Sequence, residues 1–372
     1  MTRQPNSAAR RAVAAPMPLL APVITRTGSS ATGGVLALGS ARMAAPDPTE
    51  ARFPQVPAKA GHYESFYVKA CDHSQPVGAW IRYTVHKRPA EPPKGSLWFT
   101  LFDRSTEGPT ASKVTLPSAA SGGGDWIRIG DARFGPTGLA GEARSERCEA
   151  SWELRFDTGE EPLFHLPRDW MYTAPVPRTK LLSPAPAAQF DGRLTIDGRN
   201  ITVDNWRGMV GHNWGAQHAE RWIWLHGLGF DGASDATWLD AAIGRVKLGP
   251  LTTPWIANGA ISLDGMRHPL GGPGRRSEVR ESPERLEFRL PGRRIGVRGA
   301  VGAQRKDFVG WIYADPDGSE HNTVNCSVAD MKLTVERDGA EPLDLQLAGG
   351  AAYELGMRER DHGIEIQHFP DG

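Results

Sequence analysis

The chain has 372 residues, and its 43 basic side chains balance 43 acidic ones, so it carries no formal net charge. This balance gives no electrostatic footprint for binding nucleic acid, and none for strong attraction to an anionic membrane surface. Hydrophobic residues make up 39% of the chain, which is enough to fill one or two cores. The three cysteines are too few and too scattered for a disulfide framework or a zinc site, and their odd number favours a reducing, cytoplasmic location.

Residues 1–55 differ from the rest of the chain and are predicted to form a disordered leader. Arginines precede an apolar stretch at 12–24, but three prolines interrupt that stretch. A secretory signal needs an unbroken apolar core followed by a cleavage site with small residues. The sequence therefore favours a disordered leader over a signal peptide. The leader could also come from a start codon assigned too early, with Met17 or Met43 as the later start.

From about residue 56 the chain reads as strands separated by turns. Trp152, Leu154 and Phe156 alternate with charged residues, which is the period of a half-buried strand. Asp197-Gly198 and Asp264-Gly265 predict tight hairpin turns. Further strands are predicted at Phe66–Val68, Trp80–Val85, Leu97–Phe102, Arg221–Leu228, Thr237–Val246, Leu286–Leu290, Phe308–Tyr313 and Met331–Val335. Turn signals at intervals of about 8 to 12 residues are typical of antiparallel sandwiches and barrels, so an all-β fold is predicted.

Prolines cluster between Pro175 and Pro186, and proline cannot donate a hydrogen bond within a central strand. The cluster predicts a linker or crossing loop between two β domains, at 56–185 and 186–372, each near the size of one barrel or sandwich. Both blocks open with a pair of strands joined by a short polar loop, which indicates an internal duplication.

A tryptophan-rich strand follows the proline cluster. Because side chains alternate along a strand, Trp222, Trp224 and His226 share one face, while Ile223 and Leu225 occupy the other. Two apolar faces predict a strand that is buried on both sides, as in a barrel wall whose inner face lines a lumen. The rings then form either an aromatic pocket for a hydrophobic ligand or the filling of a solid core.

The segment His212-Asn213-Trp214-Gly215 lies among glycines, so its backbone is predicted to turn sharply or to approach other groups closely. Histidine and asparagine supply a donor and an acceptor, with a group that titrates near neutral pH. Two interpretations stay open, a role in catalysis or ligand gating and a buried polar clamp between the two domains.

Common catalytic and cofactor motifs do not occur in the sequence. The chain has no HExxH motif, no 2-His-1-carboxylate spacing, no phosphate-binding GK[ST] and no GxSxG elbow. His212 and His218 are six residues apart, which fits neither helix nor strand periodicity for a shared metal ion. No metal and no cofactor are therefore predicted.

The pattern Gly-x-x-x-His-Asn-Trp-Gly at 208–215, the preceding Pro177-Arg178-Thr179-Lys180 and the Trp222-x-Trp224 strand resemble one known superfamily. It contains the carotenoid hydratases (hydroxyneurosporene synthases), tocopherol cyclases and related lipocalin-like proteins. The resemblance covers roughly residues 60 to 372 and implies two consecutive lipocalin-like β-barrels with a hydrophobic cavity. It also implies cofactor-free proton transfer to an isoprenoid double bond, which needs a protonated carboxylic acid in an apolar pocket.

The chain departs from the hydratases at one position of the motif. They carry an acidic residue immediately before the motif histidine, where this chain has Gly211. The acids that could substitute are Asp240 and Glu220, with His212 or His226 as a proton partner.

Binding of a hydrophobic small molecule, an isoprenoid or another lipid, is the leading hypothesis. The predicted ligand-binding residues are His212, Asn213, Trp214, Trp222, Trp224, His226 and Trp238. The alternative is a cofactor-free hydratase or cyclase with Asp240, Glu220 and His212 as catalytic residues. A third hypothesis is a purely structural domain whose own side chains fill the interior. A lipid carrier would also contact membranes peripherally to collect its ligand.

Overall fold

The computed structural model describes residues 47, 49–272 and 274–367. Most of the predicted leader, residues 1–46 and 48, lies outside the described residues. The rest of that leader is folded, because Phe53–Gln55 form a 3-10 turn in which Phe53 is buried. Two more 3-10 turns, Asp169–Tyr172 and Arg305–Asp307, are the other helical segments of the described residues, and none of the three has the length and apolarity to cross a membrane.

Within the described residues, two large antiparallel sheets make up the fold. The first sheet contains β1 (His62–Cys71), β2 (Val77–Lys87), β3 (Lys94–Asp103), β4 (Thr110–Leu116), β5 (Ala120–Gly122), β6 (Asp125–Ile129), β7 (Ala132–Gly135), β8 (Gly138–Arg144), β9 (Glu149–Asp157), β10 (Leu163–Phe164), β11 (Thr179–Ile196) and β12 (Arg199–Gly215). The second sheet contains β13 (Arg221–Leu228), β14 (Trp238–Arg245), β17 (Ile256–Leu263), β18 (Met266–Gly271), β19 (Glu278–Glu281), β20 (Arg285–Leu290), β21 (Ile295–Gly302), β22 (Val309–Ala314), β23 (Glu320–Arg337) and β24 (Leu343–Met357). Between β14 and β17, β15 (Lys247–Leu248) pairs with β16 (Leu251–Thr252) as a separate two-stranded sheet. The predicted all-β fold is confirmed.

The two sheets share one order of strands. In the first sheet the opening strand β1 pairs with β2 on one side and with the last strand, β12, on the other. In the second sheet β13 pairs in the same way with β14 and with the last strand, β24. From there the order continues as β12-β11-β9-β8 in one sheet and β24-β23-β21-β20 in the other. This repeated order is the arrangement that an internal duplication would produce.

The local turn signals of the sequence are confirmed. Asp197 and Gly198 have φ angles of 49° and 80°, and Asp264 and Gly265 have 50° and 82°. Positive φ at both central residues defines the type I′ turn, whose twist matches that of paired strands. Each predicted strand overlaps an observed one, and Arg221–Leu228 has the predicted bounds.

The change from one sheet to the other lies between Gly215 and Arg221, and not at the proline cluster. Pro184 and Pro186 lie within β11, next to two shifts in its register with β12. A bulged position leaves the ladder unpaired, so the missing proline N–H costs no hydrogen bond there. The division predicted at 185/186 therefore falls inside a strand of the first sheet.

The two sheets pack against each other through buried side chains. Lys69, on β1, is fully buried and donates a hydrogen bond from Nζ to the carbonyl oxygen of Gly350 on β24. Trp98, on β3, meets Trp311 of β22 with ring centroids 5.0 Å apart. Trp98 belongs to the same hydrophobic cluster as the core of the second sheet, so side chains of both sheets share one core at this contact.

His226 belongs to the same contact region. Its Nε2 lies 2.9 Å from the carbonyl oxygen of Pro186 in the first sheet. A carbonyl can only accept, so Nε2 carries the proton of the neutral ring. Burial, together with the positive charge of Lys69, lowers the pKa of His226 to about 4.

We expect His226 to make the folded protein sensitive to mild acid. Between about pH 6.5 and pH 4 an unfolded chain binds a proton at this histidine and the folded chain does not, so stability falls as pH decreases. From pH 7 to pH 5 the loss attributable to this residue is about 2 kcal/mol. His226→Gln keeps an N–H donor and removes the titration, so its loss over this interval should be smaller by that amount.

Urea unfolding of the native chain and His226→Gln at both pH values measures this difference. His73→Gln, at an exposed position, is the control and should follow the native chain. An equal loss of stability in the native chain and His226→Gln would contradict the prediction.

Candidate functional site

A cavity of about 390 Å³ lies where the two sheets meet. This volume falls in the range of about 300–1,000 Å³ that is usual for small-molecule sites. The wall is mostly apolar and aromatic, with Tyr67, Trp80, Leu166, Met171, Leu181, Trp222, Trp224, Ile256 and Tyr313 among its residues. The polar wall residues with ionisable or amide side chains are Arg82, His165, Asn213, His218, Asn258 and Glu354.

The tryptophan strand borders this cavity. Trp222 and Trp224 lie on one face of β13, as predicted, and both line the cavity. Their face is turned toward the first sheet, since Tyr67 of β1 meets the Trp224 ring edge-on at 5.5 Å. Ile223 and Leu225, on the opposite face, belong to the core of the second sheet. The cavity therefore lies between the sheets, and the rings neither face solvent nor fill a solid core.

Asp240 is buried behind the cavity wall. Ser183 Oγ donates to its Oδ2 at 2.5 Å, and Trp224 Nε1 donates to its Oδ1 at 3.2 Å. His165 Nε2 lies 3.4 Å from Oδ2. Burial disfavours the charged carboxylate, but His165, His226 and Ser183 outweigh burial, so the pKa of Asp240 is lower than its ordinary value. Asp240 is therefore ionised and holds two side chains, Trp224 and His165, that border the cavity.

His212 lies outside the cavity and forms a buried polar clamp. Its Nε2 is 2.8 Å from Oε1 of Glu64, and both side chains are fully buried. Glu64 also accepts hydrogen bonds from the backbone N–H groups of Arg52 and Phe53, at 2.7 to 2.9 Å. The clamp therefore fixes the segment before β1 to the first sheet, which differs from the predicted clamp between two domains.

The charge of the clamp is set by its histidines. Burial alone would raise the pKa of Glu64, but His212 and His62 lower it to about 2. The carboxylate is thus ionised throughout the physiological range, and nothing in this arrangement provides a protonated acid.

Asn213 and Trp214, the two motif residues that follow His212, lie in different surroundings. Asn213 borders the cavity, and its buried Oδ1 has no hydrogen-bond partner. Trp214 packs away from the cavity against Tyr172 and Leu182, with the guanidinium of Arg52 5.1 Å from its ring centroid. Of the three motif side chains, only Asn213 is placed to contact a ligand.

The structure explains Gly211 at the position where the hydratases carry an acid. A Cβ atom there would lie 2.1 Å from Cζ of Tyr67. The Tyr67 ring lines the cavity and occupies the space that an acidic side chain would need.

Three further predicted residues, besides His212, Trp214 and Asp240, do not line the cavity. Glu220 forms an ion pair with Arg358, with Nη2 and Oε2 3.5 Å apart. Trp238 is fully buried in a separate cluster, and the guanidinium of Arg267 lies 5.2 Å from its ring centroid. His226 bonds to the first sheet as described above. Glu220 is thereby removed from the candidate acids.

Glu354 is a carboxylate at the cavity that sequence analysis missed. Trp222 Nε1 donates to its Oε1 at 2.9 Å. Tyr313 Oη and Asn325 Nδ2 donate to its Oε2 at 3.2 and 3.0 Å. Its only sequence signal is a charge within the apolar stretch of β24, since its partners lie in three other strands.

Arg82 is the second missed residue, and it is 3% exposed. Its Nε donates to Ser65 Oγ at 2.9 Å, and its guanidinium lies 4.2 Å from the ring centroid of Tyr313. In the part of the chain that the structure describes, no carboxylate lies within 4.0 Å of this guanidinium. The sequence feature that could have indicated Arg82 is its charge on the same face of β2 as Trp80.

A third missed group consists of His218, Asp315 and His321, whose nitrogen and oxygen atoms lie within 4.8 Å of one another. His218 borders the cavity. Sequence spacing could not indicate this group, since about a hundred residues separate His218 from the other two. It is the one cluster among the described residues with the composition of a metal-ligand set.

Comparison with known proteins finds relatives in sequence and in structure. No family model matches the chain. The uncharacterized proteins MT0513 and Rv0493c of Mycobacterium tuberculosis, from strains CDC 1551 and H37Rv, are each 28% identical to it over 285 residues. The match covers 76% of this chain and 84% of each relative.

Solved structures with the same fold include the AttH-like protein NE1406 of Nitrosomonas europaea, with a TM-score of 0.51 and 14% identity over 84% of this chain and 98% of that one. CghA in complex with Sch210972 gives a TM-score of 0.50 and 14% identity over 80% of this chain and 89% of that one. These likenesses show the fold. The predicted all-β fold of two lipocalin-like units agrees with this likeness.

Proposed function

We propose that this protein binds an apolar small molecule, an isoprenoid or another lipid, in the cavity between its two sheets. The observation that carries the proposal is a void of about 390 Å³ bordered by the rings of Trp80, Trp222 and Trp224. Each Å² of apolar ligand surface buried there contributes about 25 cal/mol. CghA, which has the same fold, has been crystallised with the small molecule Sch210972, and this supports the proposal.

The few polar groups of the wall suit a ligand with one polar end. Arg82 offers N–H donors within an aromatic surrounding, and Asn213 offers a buried oxygen without a partner. A pocket of this composition takes its affinity from the apolar wall and its orientation from the polar groups. We infer an acidic or carbonyl oxygen as the ligand group that Arg82 contacts.

A cytoplasmic location with peripheral membrane contact belongs to the same proposal. Cys71, Cys148 and Cys326 are buried and unpaired, which supports a reducing compartment. A ligand of low solubility in water would be collected at a membrane surface. Native mass spectrometry of the purified protein, followed by lipid extraction, identifies what the cavity carries.

A second candidate function is acid–base chemistry on the bound ligand, and the His165–Asp240 pair favours it. Nδ1 of His165 lies 3.3 Å from the carbonyl oxygen of Asn258, and Nε2 lies 3.3 Å from Ser183 Oγ. These distances are long for hydrogen bonds, so a ligand can compete for either nitrogen. The ionised Asp240 would position His165 and balance its charge when the ring is protonated.

The reaction that this pair could serve is cofactor-free hydration of an isoprenoid double bond. The imidazolium of His165 would give its proton to one alkene carbon, and the oxygen of a water molecule would bond to the other. The proton that this water then releases returns to His165. Nearby tryptophan faces would stabilise the cation that forms between the two steps.

Removing one indole from the wall should weaken binding of an apolar ligand. We expect Trp222→Ala and Trp224→Ala each to lower the affinity for the neutral fluorophore N-phenyl-1-naphthylamine about tenfold, since each loses an aromatic contact of roughly 1.4 kcal/mol. Fluorescence titration measures the affinity. Trp170→Ala, at a tryptophan that is 62% exposed and outside the cavity, is the matched control. Unchanged affinity for the fluorophore in both cavity variants would contradict the proposed binding site.

Arg82 should select the polar end of the ligand. We expect decanoate to displace the fluorophore from the native chain at a concentration at least tenfold lower than methyl decanoate, because a hydrogen bond to a charged group contributes about 1.5–3 kcal/mol. Arg82→Met should abolish this preference while still binding the fluorophore. Arg144→Met, at an exposed arginine, should keep it. The inference fails if acid and ester compete equally in the native chain.

Asp240→Asn separates binding from chemistry. If the cavity hydrates isoprenoids, this variant should form product from farnesol at least a hundredfold more slowly, because His165 loses its ionised partner. Its affinity for the fluorophore should stay within about threefold of native, since Asp240 lies behind the wall. Mass spectrometry detects the hydrated product, and Glu220→Gln is the control outside the cavity. Absence of any product from the native chain would reject the second candidate and leave binding intact.

A further inference from the structure

Three side chains with metal-binding atoms meet beside the cavity, although they come from separate parts of the second half of the chain. His218 lies in the loop before β13, Asp315 directly follows β22, and His321 is the second residue of β23. Nδ1 of His218 lies 2.7 Å from Oδ1 of Asp315, and Nδ1 of His321 lies 3.8 Å from Oδ2 of the same residue. Ligand atoms around one metal ion lie at similar separations, because each is about 2.0–2.2 Å from the ion.

The protein leaves part of this group unsatisfied. His321 is fully buried, and neither of its ring nitrogens has a hydrogen-bond partner. Nε2 of His218 is buried without a partner as well. Burying a polar atom without a partner costs free energy, so a buried histidine with no hydrogen bond, 3.8 Å from a carboxylate, needs an explanation. A cation between the three side chains would supply a partner for one nitrogen of His321 and would take one nitrogen of His218.

The arrangement is rigid. The His218 ring stacks on Tyr63, with centroids 3.9 Å apart, and on Trp222, with centroids 5.2 Å apart. Asp315 accepts hydrogen bonds from the backbone N–H of His218 at 2.7 Å and from Ser319 Oγ at 3.1 Å. Such supporting contacts fix the orientation of ligands before a metal binds.

We propose that His218, Asp315 and His321 bind a divalent transition-metal cation, Zn²⁺ or Fe²⁺. Two imidazole nitrogens and one carboxylate oxygen form a donor set that suits these ions, and three protein ligands leave at least one coordination position open. Because His218 borders the cavity, the open position lies close enough to serve a polar group of the bound ligand. The sequence predicted no metal, since no local spacing joins these residues.

Cobalt(II) tests the site spectroscopically and without any assay of activity. We expect the metal-stripped full chain to bind one equivalent of Co²⁺ and to develop visible d–d absorption bands. His321→Ala should lower the affinity for Co²⁺ at least a hundredfold. This variant loses no hydrogen bond, so it should keep its fold, which circular dichroism and thermal melting verify. His73→Ala, at an exposed histidine, should bind like the native chain.

Zn²⁺ should also raise the melting temperature of the native chain, with no effect on His321→Ala, because an ion that binds only the folded state stabilises it. Asp315→Asn provides a second variant with the same expected loss of Co²⁺ binding. Equal Co²⁺ affinity in the native chain and His321→Ala, or no d–d bands in the native chain, would overturn the proposal. His218 and Asp315 would then be a hydrogen-bonded pair without a metal.

Discussion

Two indole N–H groups determine the chemistry of the space between the sheets. Trp222 and Trp224 lie on the face of β13 that is turned toward the first sheet, and each indole N–H donates to a carboxylate of the second sheet. A buried indole donor needs an acceptor, and the acceptors here are Glu354 and Asp240. The aromatic face therefore brings two carboxylates to the edge of an apolar cavity.

Each carboxylate in turn needs compensation, because an unpaired charge in a dry interior is costly. Ser183 and His165 supply it for Asp240, while Tyr313 and Asn325 supply it for Glu354. The two groups around Asp240 come from the β10–β11 part of the chain, and the two around Glu354 come from β22 and β23 of the second sheet. Hydrogen bonds in a dry interior are strong and hold the groups that make them in one geometry. The bonds to Glu354 and Asp240 therefore hold the rings of Trp222 and Trp224 at the border of the cavity.

Local patterns explain which parts of this structure the sequence could predict. Period-two alternation and the Asp-Gly turns depend on neighbouring residues, so strands such as Arg221–Leu228 and the two type I′ hairpins were predictable. The change of sheet was not, because Pro184 and Pro186 sit at bulges that depend on the register with β12. The site was only half predictable for the same reason. Trp222 and Trp224 were predictable because both lie in one strand with period-two alternation. Glu354 was not, because it reaches them through the pairing of β24 with β13, about 130 residues later in the chain.

The Gly-x-x-x-His-Asn-Trp-Gly motif marks the fold more than any chemistry. Its histidine secures the segment before β1 through Glu64, and its tryptophan packs behind the cavity. Gly211 provides the space for the Tyr67 ring, which closes the position from which the hydratases present their acid. A carboxyl group placed there would have to displace a ring that also packs against Trp224. A proton donor or acceptor for a reaction in this cavity must therefore come from outside the motif, and His165, His218 and Glu354 are the histidines and the carboxylate that border it.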